Sequence, residues 1–167
     1  DQSSENPINL NGTYPLINSY PIDLQVESHG DGLAFLTGLT KGSLSWISGN
    51  ADLSLLIRGT SSKPIVNGYL VLKNSELLFQ EKEINNLNSI IVFDFNRLEV
   101  RNLKANTGLN STINSQGGIS LFDSQLSESE PLAFLIENTR IKTAFTDISA
   151  SSNLIVKGSI LKPQLSG

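Results

Sequence analysis

His29 is the sole histidine, two residues from Asp31 in the run His29-Gly30-Asp31-Gly32. An imidazole and a carboxylate at that spacing could begin a metal site. The usual ligand set needs a second His or a Cys, and the chain has neither. A turn ahead of an apolar segment accounts for the run better. Ser and Asp are plentiful enough for a Ser-His-Asp triad by count, yet no Gly-x-Ser-x-Gly elbow exists to expose a nucleophile. The carboxylate pairs Glu81/Glu83 and Glu128/Glu130 fall in polar stretches, where solvated charge is the default and paired glycosidase acids are remote. There is no Gly-rich phosphate loop and no Asp-x-Asp-x-Asp-Gly calcium loop. Asn11-Gly12-Thr13 and Asn110-Ser111-Thr112 fit the glycosylation sequon formally. Trp46 reads as a core anchor, with a rim position against lipid headgroups as the alternative. The expectation is a protein that is not an enzyme, with no catalytic residue, cofactor or metal.

The totals point the same way. Of 167 residues, 38% are hydrophobic and 17% charged, and Asn, Ser and Thr fill the difference. That balance suits strands and turns better than helices. A net charge of −4 with thinly spread cations argues against nucleic acid as a partner. With no Cys, disulfides and thiolate chemistry are excluded. With no Met, residue 1 is not a natural start, so the chain reads as a piece cut from a longer protein whose signal or anchor lies upstream.

Any polar chemistry would have to sit on short strands. Residues 1–7 read as a disordered lead-in, and residues 8–167 as one segment. Pro7, Pro15 and Pro21 confine the first pieces to edges and turns. Pro21–Glu27 alternates apolar and polar, the mark of a strand with one buried face. Gly32–Leu39 is the one candidate for a short helix. From Gly49 onward the strands predicted are Ala51–Arg58, Ile65–Leu72, Glu76–Phe79, Ile90–Phe95, Arg97–Ala105, Leu109–Ile113, Gly118–Phe122, Leu132–Glu137, Thr139–Phe145 and Asn153–Lys157. Strands at this spacing imply a sandwich, barrel or solenoid, and connections this short imply antiparallel neighbours.

One motif recurs. Leu55-Leu56-Ile57-Arg58-Gly59-Thr60, followed by Lys63-Pro64 and Gly68, matches Leu154-Ile155-Val156-Lys157-Gly158-Ser159, followed by Lys162-Pro163 and Gly167, at a constant offset of 99 residues. We read an internal duplication, with units starting near residue 53 and again near 152. Gly permits the bend, Pro fixes φ at the start of the returning strand, and the second Gly marks a bulge or close backbone approach. The motif is therefore a structural corner, which leaves Lys63 and Lys162 without a catalytic role.

This motif resembles the signature of the C-terminal domain of the translocation and assembly module (TamB) family of AsmA-like bridge proteins, in its cyanobacterial or chloroplast-envelope form. Trp46-Ile47-Ser48-Gly49, Gly68-Tyr69-Leu70, Ile91–Val100 and Gly117-Gly118 are similar in order and spacing. The resemblance covers residues 8–167. It implies an all-β fold, an antiparallel sheet folded lengthwise into an elongated trough. It also implies a periplasmic or intermembrane location, as part of an inner-membrane-anchored protein, and a role in carrying phospholipid between inner and outer membranes. The alternative it carries is a scaffold that assists outer-membrane protein assembly or envelope protein import, docking an outer-membrane assembly protein through an edge strand.

The alternation of side chains marks the surface that would do this. Leu53, Leu55 and Ile57 share one face of their strand, as do Val66, Leu70 and Leu72. The same holds for Ile91, Phe93 and Phe95, for Leu132, Phe134 and Ile136, and for Leu154 and Val156. Such a face suits either a second sheet closing over it or an open trough for phospholipid acyl chains. Exposed edges in such a sheet also imply end-to-end self-association.

Overall fold

The computed structural model describes residues 8–15, 20–31, 33–34, 37, 42–108, 111–122, 130–142 and 147–167. Among the described residues ten strands are formed: β1 Ile8–Thr13, β2 Ile22–Ser28, β3 Leu44–Thr60, β4 Lys63–Phe79, β5 Lys82–Asp94, β6 Arg97–Thr107, β7 Ser111–Ser120, β8 Leu132–Lys142, β9 Asp147–Ser159 and β10 Lys162–Ser166. They make one sheet in sequence order, each strand antiparallel to the next. The exceptions are a parallel contact of Ser120 with Ser159, where β7 outruns β8 to meet β9, and a parallel bridge of Gly118 with Pro131. The sheet does not close on itself, so β1 and β10 are edges. Among the described residues no helix is long and apolar enough to cross a membrane.

Several predicted breaks are not breaks. The pieces 65–72 and 76–79 are one strand, β4, and the pieces 132–137 and 139–145 join in β8 as far as Lys142. Gln116 and Gly117, taken as a turn, lie inside β7. The reason is shared. Asn74, Asn86 and Asn138 have φ of 45°, 51° and 56° within strands, and Gly49 has 119°. These are bulges, where an extra residue turns the ladder without ending it. Asn tolerates the left-handed region better than other side chains. The Gly32–Leu39 helix and the residues beyond Lys142 in the 139–145 piece lie largely outside the described residues.

Across β3 to β5 the register shifts fall side by side, between Trp46 and Asn50, Leu72 and Leu77, and Asn85 and Asn88. The shift between Val100 and Leu103 of β6 lies apart from these, opposite Ser89 to Ile91. A line of bulges running across neighbouring strands is a crease. Polar groups hold it. The Asn74 amide N–H donates to Asn88 Oδ1 at 3.1 Å, Asn88 Nδ2 donates to the Asn86 carbonyl at 2.8 Å, and Ser75 Oγ donates to the Asn50 carbonyl at 3.2 Å.

Residues flanking the crease form the main apolar cluster. Ala51, Leu53, Leu72, Leu87 and Ala105 are buried there with Leu33 from the β2–β3 connection, and Trp46, Leu77, Ile84 and Leu103 pack against them. A second cluster joins Val100, Ile119 and Leu132. Among the described residues no second sheet lies over the ten strands.

The repeated motif forms the same corner twice. Thr60 pairs with Lys63 and Gly59 with Pro64; Ser159 pairs with Lys162 and Gly158 with Pro163. Each Lys amide N–H donates to the preceding hydroxyl, at 3.2 Å to Thr60 Oγ1 and 3.3 Å to Ser159 Oγ. Gly59 and Gly158 have φ of 93° and 84°. A Cβ at Gly12, Gly68 or Gly117 would strike the carbonyl oxygen just before a leucine of the neighbouring strand, at Asp23, Ser54 and Pro131.

Three hydroxyls on the inner face, Ser28, Ser89 and Ser115, are buried with no hydrogen-bond partner. Ser89 stands between Leu72 and Leu103, and Ser115 between Leu103 and Phe134. Small residues there let the larger neighbours meet over the crease. An unpaired buried hydroxyl costs free energy that a methyl does not. Ser89→Ala should therefore stabilise the fold by about 1 kcal/mol, read as a higher urea midpoint at unchanged slope. A lower midpoint would mean the hydroxyl is paired after all.

Candidate functional site: an apolar face on an open sheet

Residues opposite one another in a ladder point to the same side of the sheet. The registers therefore build the inner face row by row. Nearest the crease run Ala51, Leu72, Ser89, Leu103, Ser115, Phe134 and Leu154. The next row is Leu53, Leu70, Ile91, Val100 and Gly117. The one beyond is Val26, Leu55, Gly68, Phe93, Leu98 and Ile119. Ile57 and Val66 pair further out, Leu132 pairs with Val156, and Ile136 pairs with Ile113 across from the crease.

All of the residues marked from the sequence are on this face except Phe95. β5 ends at Asp94, and Phe95 begins the turn to β6, with φ 55° and 61% of its surface exposed. Counting by twos ran one step past the strand. The Phe95 backbone is anchored: its carbonyl accepts from the Val66 amide at 2.9 Å, and its amide donates to Asn67 Oδ1 at 3.4 Å.

The rest divide by burial. Leu53, Val66, Leu72 and Leu132 are buried and belong to dry packing. Leu55, Ile57, Leu70, Ile91, Phe93, Phe134, Ile136, Leu154 and Val156 are half-buried. Val26, Leu98, Val100, Leu103, Ile113 and Ile119 also lie on the face, with Leu33 packed against it, and were not singled out from the sequence. Val100 and Leu98 alternate within a predicted strand and could have been. Leu33 could not, because its place depends on how a connection folds back.

The polar candidates stay apart from this face. His29 Nδ1 lies 2.7 Å from Asp52 Oδ1, with both side chains largely in solvent. The Trp46 indole N–H donates to Asp31 Oδ1 at 3.4 Å while its ring packs on the main cluster, so it is a core anchor with its polar tip at the margin. Among the described residues no three His, Cys, Asp or Glu side chains gather as a metal site would need. Arg97 lies over Gly118 and donates to the Glu130 carbonyl at 2.9 Å, a structural use of the cation. Shallow grooves of about 330 and 470 Å³ lie on the opposite, outer face, lined by residues such as Glu99, Arg101, Asn114 and Gln116.

The chain is similar to two plant proteins. It is 22% identical over 162 residues, 95% of its length, to Protein TIC236, chloroplastic, of Arabidopsis thaliana. It is 25% identical over 150 residues, 87% of its length, to Protein SUBSTANDARD STARCH GRAIN 4, chloroplastic, of Oryza sativa subsp. japonica. The chain spans about 7% of the length of each of these relatives. No family model and no solved structure matches it. What the comparisons establish is a distant likeness to two chloroplast proteins of much greater length.

Proposed function

We propose that this chain is a segment of a bridge between two envelope membranes, whose apolar trough carries phospholipid acyl chains, with no enzymatic step. The observation that carries the reading is the half-buried patch of Leu55, Leu70, Ile91 and Phe93 on a sheet over which the described residues place no second sheet. Large apolar patches left open on a folded protein usually serve a ligand or partner. Each acyl methylene removed from water gains about 0.8 kcal/mol, so a sixteen-carbon chain stands to gain on the order of 10 kcal/mol. That holds a lipid without a specific pocket. Likeness to chloroplast proteins many times longer supports placement in an envelope and a role as one stretch of a longer path.

A second reading has its own observation. Among the described residues β1 and β10 each pair on one side only, and a strand so placed can accept another, from an outer-membrane assembly protein, another copy of the chain or the next stretch of a longer sheet. Lys162 and Pro163 guard the β10 edge, since a charge and a missing N–H both discourage pairing.

A photo-crosslinker placed at Phe93 and at Phe134 in the full-length protein in cells separates the two readings. Attached phospholipid at both positions is the expected result. Attachment to protein alone, with no lipid at either position, would sink the carrier reading and leave the scaffold.

A further inference from the structure

The rows of the trough are not equivalent, and resting on the carrier reading, we infer that one of them is an acyl-chain seat with definite ends. Nearest the crease, Ala51, Leu53, Leu72, Leu87 and Ala105 are each 7% exposed or less. Leu33 and the side chains around it already fill that floor, which leaves no place for a ligand methylene. One tier outward, Val26, Leu55, Phe93 and Leu98 are all half-buried. They follow one another across β2, β3, β5 and β6, with Gly68 of β4 between Leu55 and Phe93.

Gly68 makes this row a cradle. It carries no side chain, so a notch opens in the row, bounded across the sheet by Leu55 and Phe93. A Cβ could not be added there, because it would fall on the Ser54 carbonyl oxygen. The row also stops. Its next member, Ile119, is 6% exposed, and its neighbour Val100 is 5% exposed; both belong to the second closed cluster.

The length fits one chain. Five strands at about 4.8 Å spacing extend roughly 19 Å, and one leaflet of a hydrocarbon core is about 15 Å deep. The occupant is therefore a single extended acyl chain laid across β2 to β6, over the Gly68 notch, with its end against the Val100–Ile119 cluster. Passage beyond that point requires a step over the closed cluster, so lipid moves along the trough by stations.

The test is intermolecular NOE spectroscopy on the 167-residue chain, deuterated except at its Ala, Ile, Leu and Val methyls, with protonated palmitate as the probe. The expected result is cross-peaks from palmitate methylenes to the methyls of Val26, Leu55 and Leu98, and none to Leu72, Leu87 or Ala105. Cross-peaks of equal strength at those floor methyls, or running on through Val100 and Ile119, would overturn the seat and leave the carrier reading intact. Absence of palmitate contacts anywhere on the inner face would overturn both.

Discussion

Phe93→Arg is expected to leave the sheet folded and, on the proposed carrier reading, to remove at least nine-tenths of the phospholipid held by the full-length protein. Phe93 sits between Gly68 and Leu98, and its ring is only half-buried. An arginine can lay its methylenes on the same row and lift its guanidinium to water. The cost to folding is then the lost part of the aromatic burial, about 1 kcal/mol. An acyl chain on that row fares differently. It must either lie against a charge or leave the central stretch of its track wet. Every two methylenes that remain in water forfeit roughly 1.6 kcal/mol, which is more than tenfold in occupancy. The readouts are lipid quantified after purification and the thermal unfolding curve of the same sample. A folded variant that retains its lipid would show that the row is not the contact surface. An unfolded one would show that Phe93 belongs to the core, and Leu55→Asp on the same row then asks the question again.

The class of fold was legible because alternation survives in almost every strand, and period two needs no tertiary knowledge. The corner at Gly59 and Lys63-Pro64 was legible for a different reason. It occurs twice at a fixed offset, and each residue in it has a stated backbone task. The strand count was not legible. Asn74 and Asn138 look like turn residues from sequence, and they do adopt the backbone of a turn, but within strands that continue past them. What separates a bulge from a turn is whether the ladder resumes on the far side, and that is a property of the partner strand. The same limit applied to the site. Alternation put Leu72 and Phe93 in one class, because both point to the same face. Whether a residue is sealed or open depends on its distance from the crease and on where Leu33 folds back, and neither is written in a local pattern. Phe95 was misplaced because a turn residue happened to be aromatic.

Gly68→Ala should cost more stability than any other single methyl added to the inner face of the central strands. Gly68 has φ 147° and is fully in register, pairing with Leu55 on one side and Phe93 on the other. Side chains rarely occupy that backbone region, and forcing one there costs up to about 3 kcal/mol. Here the added Cβ would also fall on the Ser54 carbonyl oxygen of the neighbouring strand, so β3 and β4 must move apart at the point where the longest pair in the sheet is zipped. A domain stable by roughly 5–15 kcal/mol keeps little in reserve after such a loss. Gly30→Ala is the matched control. Gly30 also has positive φ, 65°, but nothing lies within 4 Å of where its Cβ would be, so the expected cost is about 1 kcal/mol from backbone alone. Urea unfolding of both variants separates conformational strain from steric contact. If the two lose the same stability, the close approach of β3 and β4 is not what requires glycine at 68. If Gly68→Ala loses at least twice as much, the notch in the acyl row is a by-product of strand packing. The trough would then owe its most open point to a residue kept for the backbone.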